Sequence, residues 1–285
     1  MKSHSLFIIT IVALILAPLT SATPPYRGWG YAVAKLKKLG VPERELRFTF
    51  ENKALPLRPF VPFGLHPKES MAMYSQFTAR DQIKLALEGL QRYQREYGLA
   101  EQRFNVPREV INAILLVETR FGKIVGTHRV IERLARGVSV SEEWNVRENY
   151  QRLLKEGEKT SLSAVRKRAL QVEQIFLPEL RALFKIGLRE RINILNIRGS
   201  SAGAFGWPQF MPLAYLRFSV DGNKDGRISL FNPADAIFSV ANYLKYHGWR
   251  NNNNYRDQLK VIWHYNKSTP YGRAVLEVAR ITSRR

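Results

Sequence analysis

The sequence predicts a mainly α-helical protein, and three observations carry that prediction. From Thr78 onward apolar side chains return at helical spacings: Ile83, Leu87, Leu90 and Tyr97 fall three, four and seven residues apart on one face. Further runs of the same kind follow to the carboxyl end. Strand-like alternation of apolar and polar residues is scarce, and no internal repeat occurs.

In chain order, the first element is a leader. Lys2 precedes an uncharged apolar run from Leu6 to Leu19, and the small residues Thr20 and Ala22 follow it. This reads as a secretory signal peptide over residues 1–22. A run of about 14 residues is too short to cross a bilayer, which takes roughly 20, and no later run matches it. A periplasmic or secreted protein without an integral membrane span in its mature chain is expected, a retained anchor being the alternative. Residues 23–77 form a proline-rich arm, with Pro24, Pro25, Pro56, Pro59 and Pro62 interrupting short helical stretches such as Tyr31 to Leu39. Residues 78–285 hold the helical part. Beyond the pattern at Ile83, helices are expected at Pro107–Thr119, Val146–Lys155, Ser163–Phe184, Pro233–His247 and Tyr255–Tyr265, with Asn251 to Asn254 as a turn.

Composition narrows the function. The chain has no cysteine, which excludes disulfides, thiolate metal sites, a cysteine nucleophile and a lipid anchor through that residue. An exported fold must then rest on its hydrophobic core, and 45% hydrophobic residues can supply one. The formal charge of +21 draws the surface to polyanions. Export argues against nucleic acid as the partner and favours anionic envelope polymers; a monomer is expected.

One carboxylate stands out. Pro107 suits the first turn of a helix, where its missing N–H costs nothing. The stripe Ile111, Ile114, Leu115 then continues to Glu118 at the seventh position, with Gly122 as a stop signal. A carboxyl group on a buried face is costly unless it is paired or used. Desolvation would raise its pKa and keep a proton available near neutral pH, as a general acid acting on a glycosidic oxygen requires. The alternative is a structural ion pair with Arg120 or a basic residue elsewhere.

Three segments carry a family resemblance. Val117-Glu118-Thr119-Arg120-Phe121-Gly122 resembles the catalytic segment of the membrane-bound lytic murein transglycosylase B family. Gly199-Ser200-Ser201-Ala202-Gly203-Ala204-Phe205-Gly206-Trp207-Pro208-Gln209-Phe210-Met211-Pro212 is similar to that family's Gly-Ser-x-Ala-Gly-Ala-x-Gly-x-x-Gln-Phe-Met-Pro segment. Tyr265-Asn266-Lys267-Ser268-Thr269-Pro270-Tyr271 resembles its Tyr-Asn-x-Ser-x-x-Tyr segment. The resemblance implies a lysozyme-like core over about residues 101–127 and 195–285, with a helical accessory lobe over about 128–194. It also implies cleavage of the bond between N-acetylmuramic acid and N-acetylglucosamine in peptidoglycan glycan strands without water, giving 1,6-anhydro ends and using no cofactor. Glu118 would serve as acid and then base. Ser200, Gln209, Tyr243, Tyr265, Asn266, Tyr271 and Tyr74 would contact the sugars. Ordinary glycoside hydrolysis uses two carboxylates roughly 5–10 Å apart, and no second carboxylate sits in a comparable apolar setting.

A separate loop offers oxygen ligands. Asp221, Asn223 and Asp225 occupy positions 1, 3 and 5 of an EF-hand-like pattern, with Gly226 at 6 and Ile228 at 8. Position 12 is Asn232, but Asp235 lies fourteen residues after Asp221. The resembled family has such a lengthened loop, which implies a structural calcium held by Asp221, Asn223, Asp225, the carbonyl of Arg227, and Asp235. An Asx-rich turn closed by its own hydrogen bonds is the alternative.

The chain also departs from the family. Fifteen residues separate Trp249 of His247-Gly248-Trp249 from Tyr265, where the family carries a β-rich insertion, and an expected Asn-Tyr-Pro-Arg-Arg segment after Leu134 is replaced by Ser139 to Asn149. Two further readings therefore stay open: a muramidase-type hydrolase on the same fold, and a non-catalytic wall-binding protein.

Overall fold

The computed structural model describes residues 24–65, 74 and 76–284, so residues 1–23, which include the leader, residues 66–73 and 75 of the arm, and residue 285 lie outside the described residues. The mainly helical expectation is met. Twelve α-helices are present among the described residues, joined by a single two-stranded ribbon in which β1 (His128–Arg129) runs antiparallel to β2 (Arg198–Gly199). None of the described helices is long and apolar enough to cross a membrane.

The first core gathers around one enclosed helix. Helices α3 (Arg80–Arg92), α4 (Gln94–Phe104), α10 (Pro233–Tyr246) and α12 (Thr269–Thr282) all pack on α5 (Arg108–Thr119). Helix α5 is apolar nearly all round, as a helix enclosed by others must be. Ile111, Ala113, Ile114, Leu115 and Leu116 are fully buried. Its one buried polar side chain in mid-helix, Asn112, is satisfied on both sides: Nδ2 donates to the Ala86 carbonyl at 3.1 Å and Oδ1 accepts from the Tyr97 hydroxyl at 3.0 Å. The pattern of Ile83 to Tyr97 is divided between α3 and α4, which meet at Tyr93.

A second core joins the proline-rich arm to the helical lobe. Helices α1 (Gly30–Lys38) and α2 (Glu43–Phe50) place Trp29, Leu36, Leu46 and Phe50 against α6 (Val130–Ser139) and α8 (Leu162–Glu190). Helix α7 (Glu143–Lys155) also packs on α8, and α9 (Pro212–Phe218) lies across it. Helix α8 runs six residues beyond the expected end at Phe184 and passes through Pro178, which is exposed, so water can meet the carbonyl that the proline leaves free.

The arm continues as an extended strap. Pro59 and Pro62 have no N–H to satisfy, and the amides between and after them find side chains instead of a strand. Val61 N–H donates to Asn145 Oδ1 at 2.9 Å and Phe63 N–H to Asn149 Oδ1 at 3.1 Å, while both asparagine Nδ2 groups return to the Val61 carbonyl. Asparagines on α7 thus do the work of a neighbouring strand. Helix α11 (Tyr255–Tyr265) completes the chain order.

Candidate active site

Helix α5 delivers Glu118 to its last turn, and the chain then reverses through three left-handed residues, Arg120 (φ 49), Phe121 (φ 58) and Gly122 (φ 81). The Phe121 amide closes back on the Leu115 carbonyl at 3.1 Å, a helix end of the Schellman kind. Thr119 fastens this turn to a second loop: its hydroxyl donates to the Trp207 carbonyl at 2.9 Å and accepts from the Gly122 amide at 3.0 Å. A Cβ on Gly122 would lie 2.0 Å from Trp207 Nε1, so only glycine lets the two loops meet.

The second loop is itself a tight turn. Phe205 and Phe210 exchange backbone hydrogen bonds of 3.0 and 3.2 Å, closing Gly206, Trp207, Pro208 and Gln209 between them. Gln209 adopts φ 49, and its Nε2 donates to Gly206 at 2.8 Å and to Val125 at 3.3 Å. Ser200 stands at the far end of the same loop, where its Oγ accepts from the Ala204 amide at 3.2 Å. Both residues named for sugar contact therefore also hold the loop in shape.

Glu118 meets a tyrosine, not a cation. The Tyr271 hydroxyl donates to Glu118 Oε1 at 2.7 Å, and no Lys, Arg or His forms an ion pair with Glu118 among the described residues. The structural ion pair with Arg120 is thus not formed. Glu118 is partly buried, and desolvation pushes its carboxyl up to about 7, the Tyr271 hydrogen bond pulling weakly the other way. Its environment keeps a proton on the carboxyl until neutral pH.

The other named aromatics assemble beside it. The Tyr271 and Tyr265 rings stack nearly parallel, 6.3 Å apart at 10°, and Tyr74 meets Tyr271 edge-on at 5.8 Å. Tyr243 packs on Tyr265 at 4.9 Å. Their hydroxyls are anchored: Tyr265 to the Pro208 carbonyl at 2.5 Å, Tyr243 to the His264 carbonyl at 2.6 Å. Burial and the Glu118 carboxyl raise the Tyr271 hydroxyl above the usual range, so it stays a donor. Asn266 caps the end of α11 and remains partly exposed. Thr119 and Trp207 were not singled out by sequence, although both stand inside the matching segments.

The acidic loop lies apart from Glu118 in the chain and is closed by Asx hydrogen bonds. Asp221 accepts from the amides of Asp225 at 3.2 Å and Gly226 at 2.9 Å, and Asp225 accepts from Arg227 at 2.8 Å. Asp235, almost fully buried at the start of α10, accepts from Gly222 at 2.8 Å and Ser229 at 2.7 Å, tying both ends of the loop. Desolvation raises its carboxyl, with Asp221 adding as a like charge. No group of three or more His, Cys, Asp or Glu side chains stands close enough to hold a metal ion among the described residues.

Comparison with known proteins gives a consistent picture. Residues 36–261 match the family described as transglycosylase SLT domain. Over 174 residues, 61% of the chain, it is 34% identical to membrane-bound lytic murein transglycosylase B of Escherichia coli strain K12. That match spans only 40% of the relative's length. The fold is similar to soluble lytic transglycosylase SltB1 of Pseudomonas aeruginosa, with 20% identity, a TM-score of 0.69, and coverage of 92% of this chain and 99% of that one. It is also similar to E. coli lytic transglycosylase Slt35 solved in complex with calcium, with 22% identity, a TM-score of 0.63, and coverage of 92% and 93%.

Proposed function

The chain belongs to the transglycosylase SLT domain family, and from that premise we propose that it is a peptidoglycan lytic transglycosylase with Glu118 as its acid and base. The observation that carries this reading is the carboxyl of Glu118, held protonated to about pH 7 by burial and touched by the Tyr271 hydroxyl instead of a guanidinium. In the proposed reaction the Glu118 proton passes to the glycosidic oxygen of the leaving N-acetylglucosamine as its bond to the muramyl anomeric carbon breaks. The resulting carboxylate then takes the proton of the muramyl 6-hydroxyl as that oxygen bonds to the same carbon, closing the 1,6-anhydro ring. Atoms balance without water, and Glu118 ends as it began. Tyr271 would hold the carboxyl in position and stabilise its charged form between the two steps. Tyr265, Tyr243 and Tyr74, with Asn266, Gln209 and Ser200, would contact the sugars around the scissile bond.

Digestion of purified sacculi with mass spectrometry of the products tests this. Anhydro-ended muropeptides are expected from the native protein and none from Glu118→Gln. Products heavier by one water would replace the reading with a muramidase-type hydrolase, and sacculus binding without fragment release would leave a wall-binding protein.

The chain would act outside the cytoplasm as a monomer after removal of residues 1–22, its positive charge concentrating it on anionic envelope polymers. The proline-rich arm and helical lobe would support a core of about residues 101–127 and 195–285. For the acidic loop, the all-oxygen donor set suits a hard cation, but the three aspartates accept from loop amides and would have to draw together around it. Asp221, Asn223, Asp225 and Asp235, with the Arg227 carbonyl, would hold calcium as a structural tie. A melting temperature that rises with millimolar calcium and stops responding in Asp225→Ala supports this; an unresponsive native protein removes it.

A further inference from the structure

Between α11 and α12 lies a cavity of about 220 Å³ whose lining includes none of the residues placed around Glu118. Its lining combines Trp263 and Leu259 with Arg256 and Lys260, and it is closed by Ser268, Thr269 and Gly272 at the start of α12. At its edge Gly272 lets α12 approach Leu259 so closely that an added Cβ would stand 3.1 Å from Leu259 Cδ2. Trp263 is 44% exposed, a large apolar ring left facing solvent on a helix whose Val261 and Ile262 are buried.

The charge around that ring is one-sided. Lys267 Nζ lies 5.6 Å from the Trp263 ring centroid, and neither Lys267 nor Arg256 forms an ion pair among the described residues, although the charge of Arg256 helps to lower the Asp257 carboxyl. Lys260 is paired with Asp257 at 2.9 Å, the one acidic side chain in this cluster of ion pairs. An exposed indole flanked by cations and hydroxyls is complementary to a muramyl unit: the sugar ring stacks on the indole face that Lys267 leaves open, and the carboxylates of its stem peptide meet Arg256 and Lys267.

We propose that the Trp263 pocket is a second saccharide-binding site, taking a muramyl unit with its anionic stem peptide from a peptidoglycan strand other than the one held at Glu118. The occupant rests on the function proposed above, whereas the site itself rests on the pocket. Ser268, which lines the pocket, also caps α12 by accepting from the Tyr271 amide at 3.3 Å, so the pocket and the Glu118 site meet at one turn. Occupation would tether the enzyme to the wall while Glu118 works on a neighbouring strand, an avidity effect without new catalytic contacts.

The test uses the full chain in two readouts. Sedimentation with sacculi stripped of covalently attached polymers is measured in a Glu118→Gln background, and turnover of a soluble muropeptide tetrasaccharide in the otherwise native protein. Trp263→Ala and the charge reversal Arg256→Glu should each weaken sacculus binding about tenfold, the scale of one lost stacked or charge-assisted contact, and leave tetrasaccharide turnover within about twofold. Both residues are exposed, and a circular dichroism melt confirms that each variant folds. Unchanged binding in both variants overturns the proposal. So does a tetrasaccharide rate that falls as far as sacculus binding, which would put Trp263 in the catalytic cleft, or Trp263-dependent binding to anionic phospholipid vesicles in place of sacculi. A native protein that binds sacculi through Trp263 but releases no fragments would keep the site and remove the enzymatic reading.

Discussion

Glu118 ends a stripe whose other members are fully buried, and its carboxyl consequently titrates near 7 instead of in the ordinary carboxylate range. Two consequences share this cause. If Glu118 is the acid proposed above, turnover requires its protonated form and the rate should fall as pH rises through about 7. Stability follows the same proton: the native state holds it between the unfolded carboxylate pKa of about 4.3 and about 7, so folding is progressively weakened as pH rises across that window. Glu118→Gln should therefore lose turnover yet gain about 1–2 kcal/mol at pH 8, with the gain closing at pH 4, where both side chains are neutral. Denaturant melts at the two pH values decide it, and a variant less stable than the native chain at pH 8 would contradict the burial argument. Spacing marked Glu118 as a buried carboxylate, and only the resemblance of its segment pointed to an acid. Its partner was not marked by spacing, because Tyr271 lies 153 residues away and only its place in a matching segment singled it out.

Between the residue and the molecule stand the turns that aim the site. The chain reverses after Thr119 through three left-handed residues, and Gly122 occupies the one where the Trp207 indole leaves no room for a methyl group. Gly122→Ala combines a strained φ of +81 with an overlap at 2.0 Å, and should cost about 2–4 kcal/mol while displacing Glu118 from Tyr271. A melting temperature within a degree of the native value would show that the loops are not locked together. Gly157, at φ +83 with nothing near its Cβ position, supplies the comparison, since alanine there bears only the backbone strain. Element boundaries were legible where pattern and punctuation agreed: α11 runs from Tyr255 to Tyr265 as expected, and α5 starts one residue after Pro107. Four helices were not foreseen. Helix α2 lies between Pro42 and Pro56 in a stretch whose prolines suggested irregular chain, and α12 begins at Thr269-Pro270, where the residues read as part of a binding segment. Helices α6 and α9 follow the ribbon strand β1 and the loop that ends at Phe210, so turn residues masked their starts.

At the scale of the whole molecule, a chain without cysteine must hold its hydrophobic cores by packing alone, and the proline-rich arm supplies a large part of the second. The sequence suggested a wrapping segment, because a run of prolines says where the chain cannot be regular and nothing about what it covers. In the structure Trp29 is fully buried against the helical lobe, its Nε1 donates to the Pro56 carbonyl at 2.9 Å, and its ring meets Phe50 at 6.3 Å, which in turn meets Phe184 of α8 at 6.2 Å. Trp29→Ala should therefore cost about 3–5 kcal/mol, as truncation of a core tryptophan does, and not the few tenths expected of a detachable arm. Phe48, 55% exposed on the neighbouring helix α2, gives the control: Phe48→Ala should stay within about 0.5 kcal/mol. Since α6, which carries part of this core, continues directly from β1, and β1 pairs with the strand leading into Ser200, loosening the arm should also soften the loop at Ser200 to Gln209. Hydrogen exchange would then show faster exchange of the Phe205 and Phe210 amides in Trp29→Ala than in Phe48→Ala at equal folded fraction. Equal exchange in the two variants would mean that the second core stabilises the chain without reaching the site.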